Sequence, residues 1–330
     1  MEFIEQIKQK AKKNIKTICL PEASDIRTIE AAHIALKEEY ANIILIGNEE
    51  SINRMASENG FDVSKAKIVN PKTYEKKEEY ARKLFELRQA KGMTKEQADK
   101  LIEDEVYFGM MMVKMEDADG LVSGAIHSTA DTLRPALQIL KTAPGTKLVS
   151  AFFVMCVPDC EYGEEGVFVF GDCGLNQNPS ADELSEIAKS SSDSFEKIVG
   201  KKSKVAMLSY STYGSAKSEL VDKVVEATKL VKEKYPDITV DGELQLDSAI
   251  VPSVGKSKAP NSEVAGSCNT LIFPDLNAGN IGYKLVQRLG KAEAYGPLCQ
   301  GIAKPVNDLS RGCSSKDIAG VIALTCVQAQ

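Results

Sequence analysis

Short β-rich runs alternate with amphipathic helical stretches along this 330-residue chain, and that alternation restricts the fold more than any other feature. A strand, a helix and a further strand pack as a parallel pair with the helix laid across one face. Residues 17–21, 43–47, 67–70 and 120–123 read as strands in the first half. Between them run helical patterns at 25–40 (capped by Ser24), 49–58 and 132–141, with a long pair over 74–115. In the second half 147–157, 167–171, 205–209, 238–241 and 270–273 read as strands, and 215–234, 277–289 and 318–327 as helices. Ser180 and Glu183 form a capping-box signature before a helix reaching about Val199. The expected fold class is α/β, and the length exceeds what one core usually serves. The expected crossings are Ala143-Pro144-Gly145 and Gly296-Pro297. They give a first α/β domain of 1–144 plus 297–330 and a second of 145–296. Each is expected to be a three-layer domain with a mostly parallel sheet, the two flanking an interdomain cleft suited to a small ligand.

Charge and composition exclude several functions. A net charge of −6, with no run of Lys and Arg interleaved with aromatics, offers nothing to nucleic acid. No apolar stretch is long enough to span a membrane, and 1–13 has a helical stripe rather than a signal-peptide core. A cytoplasmic location is the expectation. Eight scattered cysteines, most in apolar runs, read as packed thiols rather than staples. Cys156-x3-Cys160 with Cys173 beyond lacks a paired Cys-x2-Cys unit, so no metal site is expected.

Chemistry concentrates in Lys304–Asp317. An extended segment is closed by a turn, and a helix starts at Ser314, so that Ser310, Arg311, Cys313 and Asp317 fall within eight residues. Free N–H groups at a helix start attract anions, and Arg311 adds a rigid, permanently charged fork. Arginine is scarce, with Arg27, Arg54, Arg82, Arg88, Arg134, Arg288 and Arg311 making seven of 41 basic residues, so each is more often placed for its geometry. Asp317 also fits the third position of a capping box behind Ser314, a sufficient structural reason for it. As a proton acceptor it would need burial, because a helix N-terminus stabilises carboxylate. Ser310 reads equally as a turn hydroxyl, and Cys313 as a filler thiol with no histidine beside it in sequence. His127-Ser128-Thr129-Ala130-Asp131 reads as a polar loop after a strand, and His33 as a packed or surface histidine. Ser209, Ser211, Thr212 and Gly214 stand where a strand gives way to a helix, as phosphate-cradling loops do, or as an ordinary Ser/Thr-rich cap does. Val254-Gly255-Lys256-Ser257 fails as a phosphate loop because the upstream glycine position is Ile250. No Gly-x-Gly-x-x-Gly follows a strand.

Four blocks together resemble the phosphate acetyltransferase (phosphotransacetylase) family: 209–218 (SYSTYGSAKS), 241–247 (DGELQLD), 269–284 (NTLIFPDLNAGNIGYK) and 295–313 (YGPLCQGIAKPVNDLSRGC). The resemblance implies reversible acetyl transfer between acetyl phosphate and coenzyme A (CoA) by direct thiolate attack in a ternary complex. Phosphate butyryltransferase, or another acyl-CoA:phosphate acyltransferase, is the alternative. It implies Ser310, Arg311 and Asp317 as the catalytic group, with Asp317 taking the thiol proton and Arg311 holding acetyl phosphate. Arg88 and Arg134 would bind CoA, while Cys160 and Cys313 would be near-site thiols that are not essential. It further implies a homodimer, with no cofactor beyond CoA as substrate.

Overall fold

A computed structural model describes residues 2–330. The chain divides into two compact units, one ending at Pro144 and resuming over Ile302–Gln330, the other Gly145–Gly301. The first unit runs through α1 (Phe3–Lys12), β1 (Lys16–Leu20), α2 (Ile26–Lys37), β2 (Ala41–Ile46), α3 (Glu49–Glu58), β3 (Lys67–Val69), α4 (Lys77–Arg88), α5 (Lys95–Leu101), α6 (Glu105–Lys114), β4 (Gly120–Ser123) and α7 (Thr129–Ile139). The second holds β5 (Ser150–Cys156), β6 (Val167–Gly171), α8 (Ala181–Val199), β7 (Val205–Leu208), α9 (Glu219–Lys234), β8 (Val240–Leu244), α10 (Leu246–Ile250), α11 (Pro252–Lys258), β9 (Thr270–Ile272), α12 (Leu276–Leu289) and β10 (Glu293–Gln300). The chain then returns to the first unit with β11 (Val306–Asp308) and α13 (Ser315–Gln328).

The sheet of the first unit has the order β11-β4-β1-β2-β3 and is parallel throughout. Its strands are buried on both faces, which is why β2 reads as an almost continuous apolar run. Cys19, Ile44, Ile46 and Val69 pack with Tyr80, Leu84, Phe108 and Ile139 on one face. Ile18, Leu20, Ile43 and Leu45, of opposite parity and equally buried, point to the other. There α13 packs against α1 and α2. Every residue of α13 from Ile318 to Val327 is buried, so it is apolar all round rather than striped. The strand order reverses direction at β1, which has β4 on one side and β2 on the other. Parallel pairing puts the C-terminal ends of β1, β4 and β11 on one edge, where open α/β sheets usually bind ligands.

In the second unit the order is β10-β5-β6-β9-β7-β8, with α8 and α9 packed on one face and α12 with the α10–α11 segment on the other. The β6–β9–β7–β8 part is parallel, whereas β5–β6 and β10–β5 are antiparallel. The β5–β6 connection is too short for a crossover helix, so these strands return as a hairpin. The second crossing falls after Gly301 rather than at Gly296-Pro297. That dipeptide lies inside β10, an edge strand whose register shifts between Tyr295 and Leu298 and tolerates a missing donor. The long helical pair expected over 74–115 is three helices. Gly92, at φ 86°, turns the chain left-handed before α5, and Asp104 caps α6 by accepting from the Val106 and Tyr107 amides.

Candidate active site

The Ser310–Cys313 turn leaves the end of β11 beside the end of β4. Leu309 N–H donates to the Ser123 carbonyl at 2.7 Å, and Cys313 N–H closes the turn on the Ser310 carbonyl at 2.9 Å. Gly124, at φ +107°, permits this approach: a Cβ there would lie 2.4 Å from Leu309 N and 2.5 Å from Asp308 Oδ1. Ser310 and Arg311 are exposed. The Ser310 hydroxyl oxygen accepts the Gly312 N–H at 3.4 Å, leaving its own proton to donate. The Arg311 guanidinium makes no hydrogen bond or ion pair among the described residues.

Ser314 and Asp317 complete a full capping box at the start of α13. Ser314 N–H and Oγ–H both donate to Asp317 Oδ2 at 2.8 Å, and Asp317 N–H donates to Ser314 Oγ at 3.2 Å. Asp317 is exposed, contrary to the burial that a strong base at this position was expected to need. Its second oxygen, Oδ1, is unbonded among the described residues. Cys313 is half-buried, and burial, only partly offset by Arg27, pushes its thiol up to about 11. A thiol so rarely ionised is a poor nucleophile at neutral pH.

Two residues not singled out in the sequence hold this edge: Arg27 braces the turn, and Glu22 holds the loop after β4. Arg27 donates Nη1 to the carbonyls of both Arg311 and Cys313 at 2.9 Å, and Nη2 to the Ala125 carbonyl at 3.0 Å. Its remaining donors engage Asp25, whose carboxyl is held below its usual range mainly by that bond. One guanidinium thus ties the β1–α2 loop to the ends of β4 and β11. The scarcity of arginine was the only sequence signal for it. Glu22, buried at the end of β1, accepts the Ala125, Ile126 and His127 amides at 2.7, 3.1 and 2.9 Å and the His127 ring at 2.8 Å. Burial alone would raise its carboxyl, but the bonds from His127 and the backbone amides outweigh it and hold the value near 2. A carboxylate can only accept, so His127 Nδ1 carries the proton. His127 is raised above the ordinary imidazole value, chiefly by that bond.

Arg88, in the last turn of α4, lines a cavity of about 720 Å³ with Lys91, Lys100, Asp104, Tyr107 and Gln138 among its neighbours. Arg88 Nε is buried without a hydrogen-bond partner. Three cations against one carboxylate make this an anion-favouring pocket in an acidic protein. Arg134 is exposed on α7, 3.9 Å from Asp131. Burial raises the Tyr107 phenol, and the charges of Arg134 and Arg88 oppose that shift.

The Ser209–Gly214 donors turn inward. Ser211 Oγ and Gly214 N–H donate to the buried Glu243 carboxylate at 2.8 and 2.7 Å. Ser209 Oγ accepts from Ser211 N–H at 3.1 Å, and Thr212 Oγ1 accepts from Gln245 N–H at 2.9 Å. Two of the donors of this loop are thus engaged by a carboxylate of the chain itself. Cys160 is half-buried against the core of the second unit, with Val157 and Tyr162. His33 packs with its ring tilted against Phe61 and accepts the Asp62 N–H at 3.0 Å, as a packed surface histidine does. Among the described residues no group of three His, Cys, Asp or Glu side chains is arranged to hold a metal ion, and no helix is long and apolar enough to cross a membrane.

The family model described as Phosphate acetyl/butaryl transferase matches residues 2–326. The chain is 62% identical over 330 residues to a phosphate acetyltransferase of Acetivibrio thermocellus, covering 100% of this chain and 99% of that one. It is 58% identical to a phosphate acetyltransferase of Thermoanaerobacterium thermosaccharolyticum, with both chains fully covered. The solved structure of a phosphotransacetylase from Streptococcus pyogenes superposes with a TM-score of 0.93 at 44% identity, covering 99% of this chain and 98% of that one.

Proposed function

The chain belongs to the phosphate acetyl/butaryl transferase family, and from that premise we propose that it is a phosphate acetyltransferase, moving an acetyl group reversibly between acetyl phosphate and CoA. The observation that carries the reading is the uncommitted Arg311 guanidinium on a turn braced by Arg27, followed at the start of α13 by Asp317 with one open carboxylate oxygen. The relatives reported above are named for acetyl rather than butyryl transfer.

In the proposed reaction the CoA sulfur forms a bond to the acetyl carbon as the carbon–oxygen bond to phosphate breaks. The phosphate leaves with that electron pair, and the thiol proton passes to Asp317. Arg311 holds the phosphoryl group and stabilises negative charge on the entering sulfur and leaving oxygen. Ser310 donates its free proton to the developing oxyanion. A thiol near pKa ~8.5 and an aspartate near ~3.9 differ by roughly 6 kcal/mol for unassisted transfer. Because Asp317 is exposed, most of that gap falls to Arg311 and to positioning of the two substrates. Acetyl phosphate is already activated, so the reading needs no cofactor besides CoA as substrate. The phosphates of CoA belong in the cationic cavity of Arg88, with Arg134 on α7 as a further CoA-binding cation.

A homodimer and a cytoplasmic location complete the reading. None of the eight cysteines is disulfide-bonded among the described residues, which suits a reducing compartment. The test is phosphate-dependent release of free CoA from acetyl-CoA, with initial rates measured against both substrates. Intersecting lines and an active Cys313→Ala variant are expected. Parallel lines with an inactive Cys313→Ala would replace direct attack with an acetyl-enzyme.

A further inference from the structure

Resting on the acetyl transfer proposed above, we infer that His127 is a second cationic contact for the phosphoryl group of acetyl phosphate, set in position by Glu22. The pair stands at the C-terminal ends of β1 and β4, the neighbours between which the strand order reverses, and α7 begins directly after it. Glu22 lies behind the ring, taking the Nδ1 proton at 2.8 Å. The opposite nitrogen, Nε2, has no bond among the described residues, and the side chain keeps 28% of its surface exposed. An imidazole backed by a buried carboxylate has its orientation fixed and its second N–H left for a ligand.

Loop order alone does not call for the ring. Glu22 already takes three backbone amides of the β4–α7 loop, so the imidazole is a fourth donor to a satisfied carboxylate. Through Arg27, the Ala125 carbonyl two residues earlier shares one guanidinium with the carbonyls of Arg311 and Cys313. His127 and Arg311 therefore belong to one braced edge. The charged groups acting on His127 are Glu22 from the end of β1, Asp104 and Glu105 from the start of α6, and Asp131 from α7. Only Glu22 bonds it. Burial pushes Glu105 up to about 7, so it titrates in the same region and the test must separate the two groups.

The experiment measures the acetyl phosphate KM and the CoA KM between about pH 6 and 9 for the wild type, His127→Asn, Glu22→Gln and Glu105→Gln. Asparagine can still donate to Glu22 but lacks the outward cation. His127→Asn is expected to raise the acetyl phosphate KM about tenfold to a hundredfold, the range for a hydrogen bond to a charged group. Its CoA KM should stay within about twofold, the margin of a contact not touched. In the wild type the acetyl phosphate KM should rise as pH passes the histidine's elevated pKa. His127→Asn should abolish that inflection, Glu22→Gln should move it to lower pH, and Glu105→Gln should retain it. Equal rises in both KM values, an inflection that survives His127→Asn, or one that vanishes in Glu105→Gln would overturn the inference. So would an unmoved inflection in Glu22→Gln, which decides alone if His127→Asn does not fold. A wild-type protein with no acetyl transfer would instead remove the functional reading beneath it.

Discussion

Glu22 shows how much one side chain can hold. Its carboxyl falls from an ordinary value near ~4.3 to about 2. Because the folded value is the lower one, the stabilisation is present above ~4.3 and disappears as pH falls towards 2. It amounts to about 3 kcal/mol. Acid unfolding of Glu22→Gln, followed by circular dichroism, should show a flattened limb between about pH 4 and 2; an unchanged limb would contradict the assignment. Asp317 carries the proton question. Asparagine keeps an acceptor for the cap but cannot take a proton, so Asp317→Asn should lose about a hundredfold in kcat with the CoA KM retained. A variant that changes KM alone would leave Asp317 as a cap only. Arg311, Ser310 and Asp317 were legible in the sequence because they share one short segment. Arg27, Glu22 and His127 were not read as one site because their partners are distant along the chain, Arg27 lying 284 residues from Arg311.

Among elements, helix starts marked by a capping box were the most readable, because such a cap is a local bargain between a hydroxyl and an amide three residues on. Elsewhere Asp25 rather than Ser24 caps α2, and α7 and α9 start behind Ser128 and Ser218 rather than at 132 and 215. The boxes at Ser180–Glu183 and Ser314–Asp317 both form, with reciprocal bonds. Their comparison separates stability from chemistry. Ser180→Ala and Ser314→Ala should each cost about 1 kcal/mol in denaturant unfolding. Only Ser314→Ala should also lower kcat, because Asp317 Oδ2 loses its hydroxyl donor and the Asp317 N–H loses its acceptor. Equal activity in the two variants would mean that the orientation of Asp317 is immaterial. Strand direction was less legible. The antiparallel β5 and β6 are as apolar as the parallel strands, and only the connection between them betrays the hairpin, while β10, half exposed and interrupted by proline, does not read as a strand. The partner of the 209–218 loop was equally hidden. Its hydroxyls and glycine match an anion cradle, and two of its donors are engaged by Glu243, whose carboxylate arrives from β8.

For the whole molecule, the lesson concerns charge and chain return. A protein of net charge −6 has no general attraction for CoA, so cations must be gathered locally. In the proposed reading the cavity of Arg88, Lys91 and Lys100 does this. Arg88→Gln and Arg134→Gln should therefore raise the CoA KM about tenfold while sparing acetyl phosphate, and dephospho-CoA should lose less than CoA does. Equal losses with both thiols would place the terminal phosphate elsewhere. The first unit is closed by the last 29 residues, Ile302–Gln330, and those residues bring Ser310, Arg311 and Asp317 to the edge already formed by β1 and β4. Alternating strands and helices made the two α/β units readable. The exact return point was hidden because a proline sits inside an edge strand. The most direct test of the whole account compares wild type with Arg311→Gln in phosphate-dependent CoA release from acetyl-CoA. The wild type should turn over, and the variant should lose at least about a hundredfold in kcat/KM with its CoA affinity intact. An Arg311→Gln protein as active as the wild type would contradict the account.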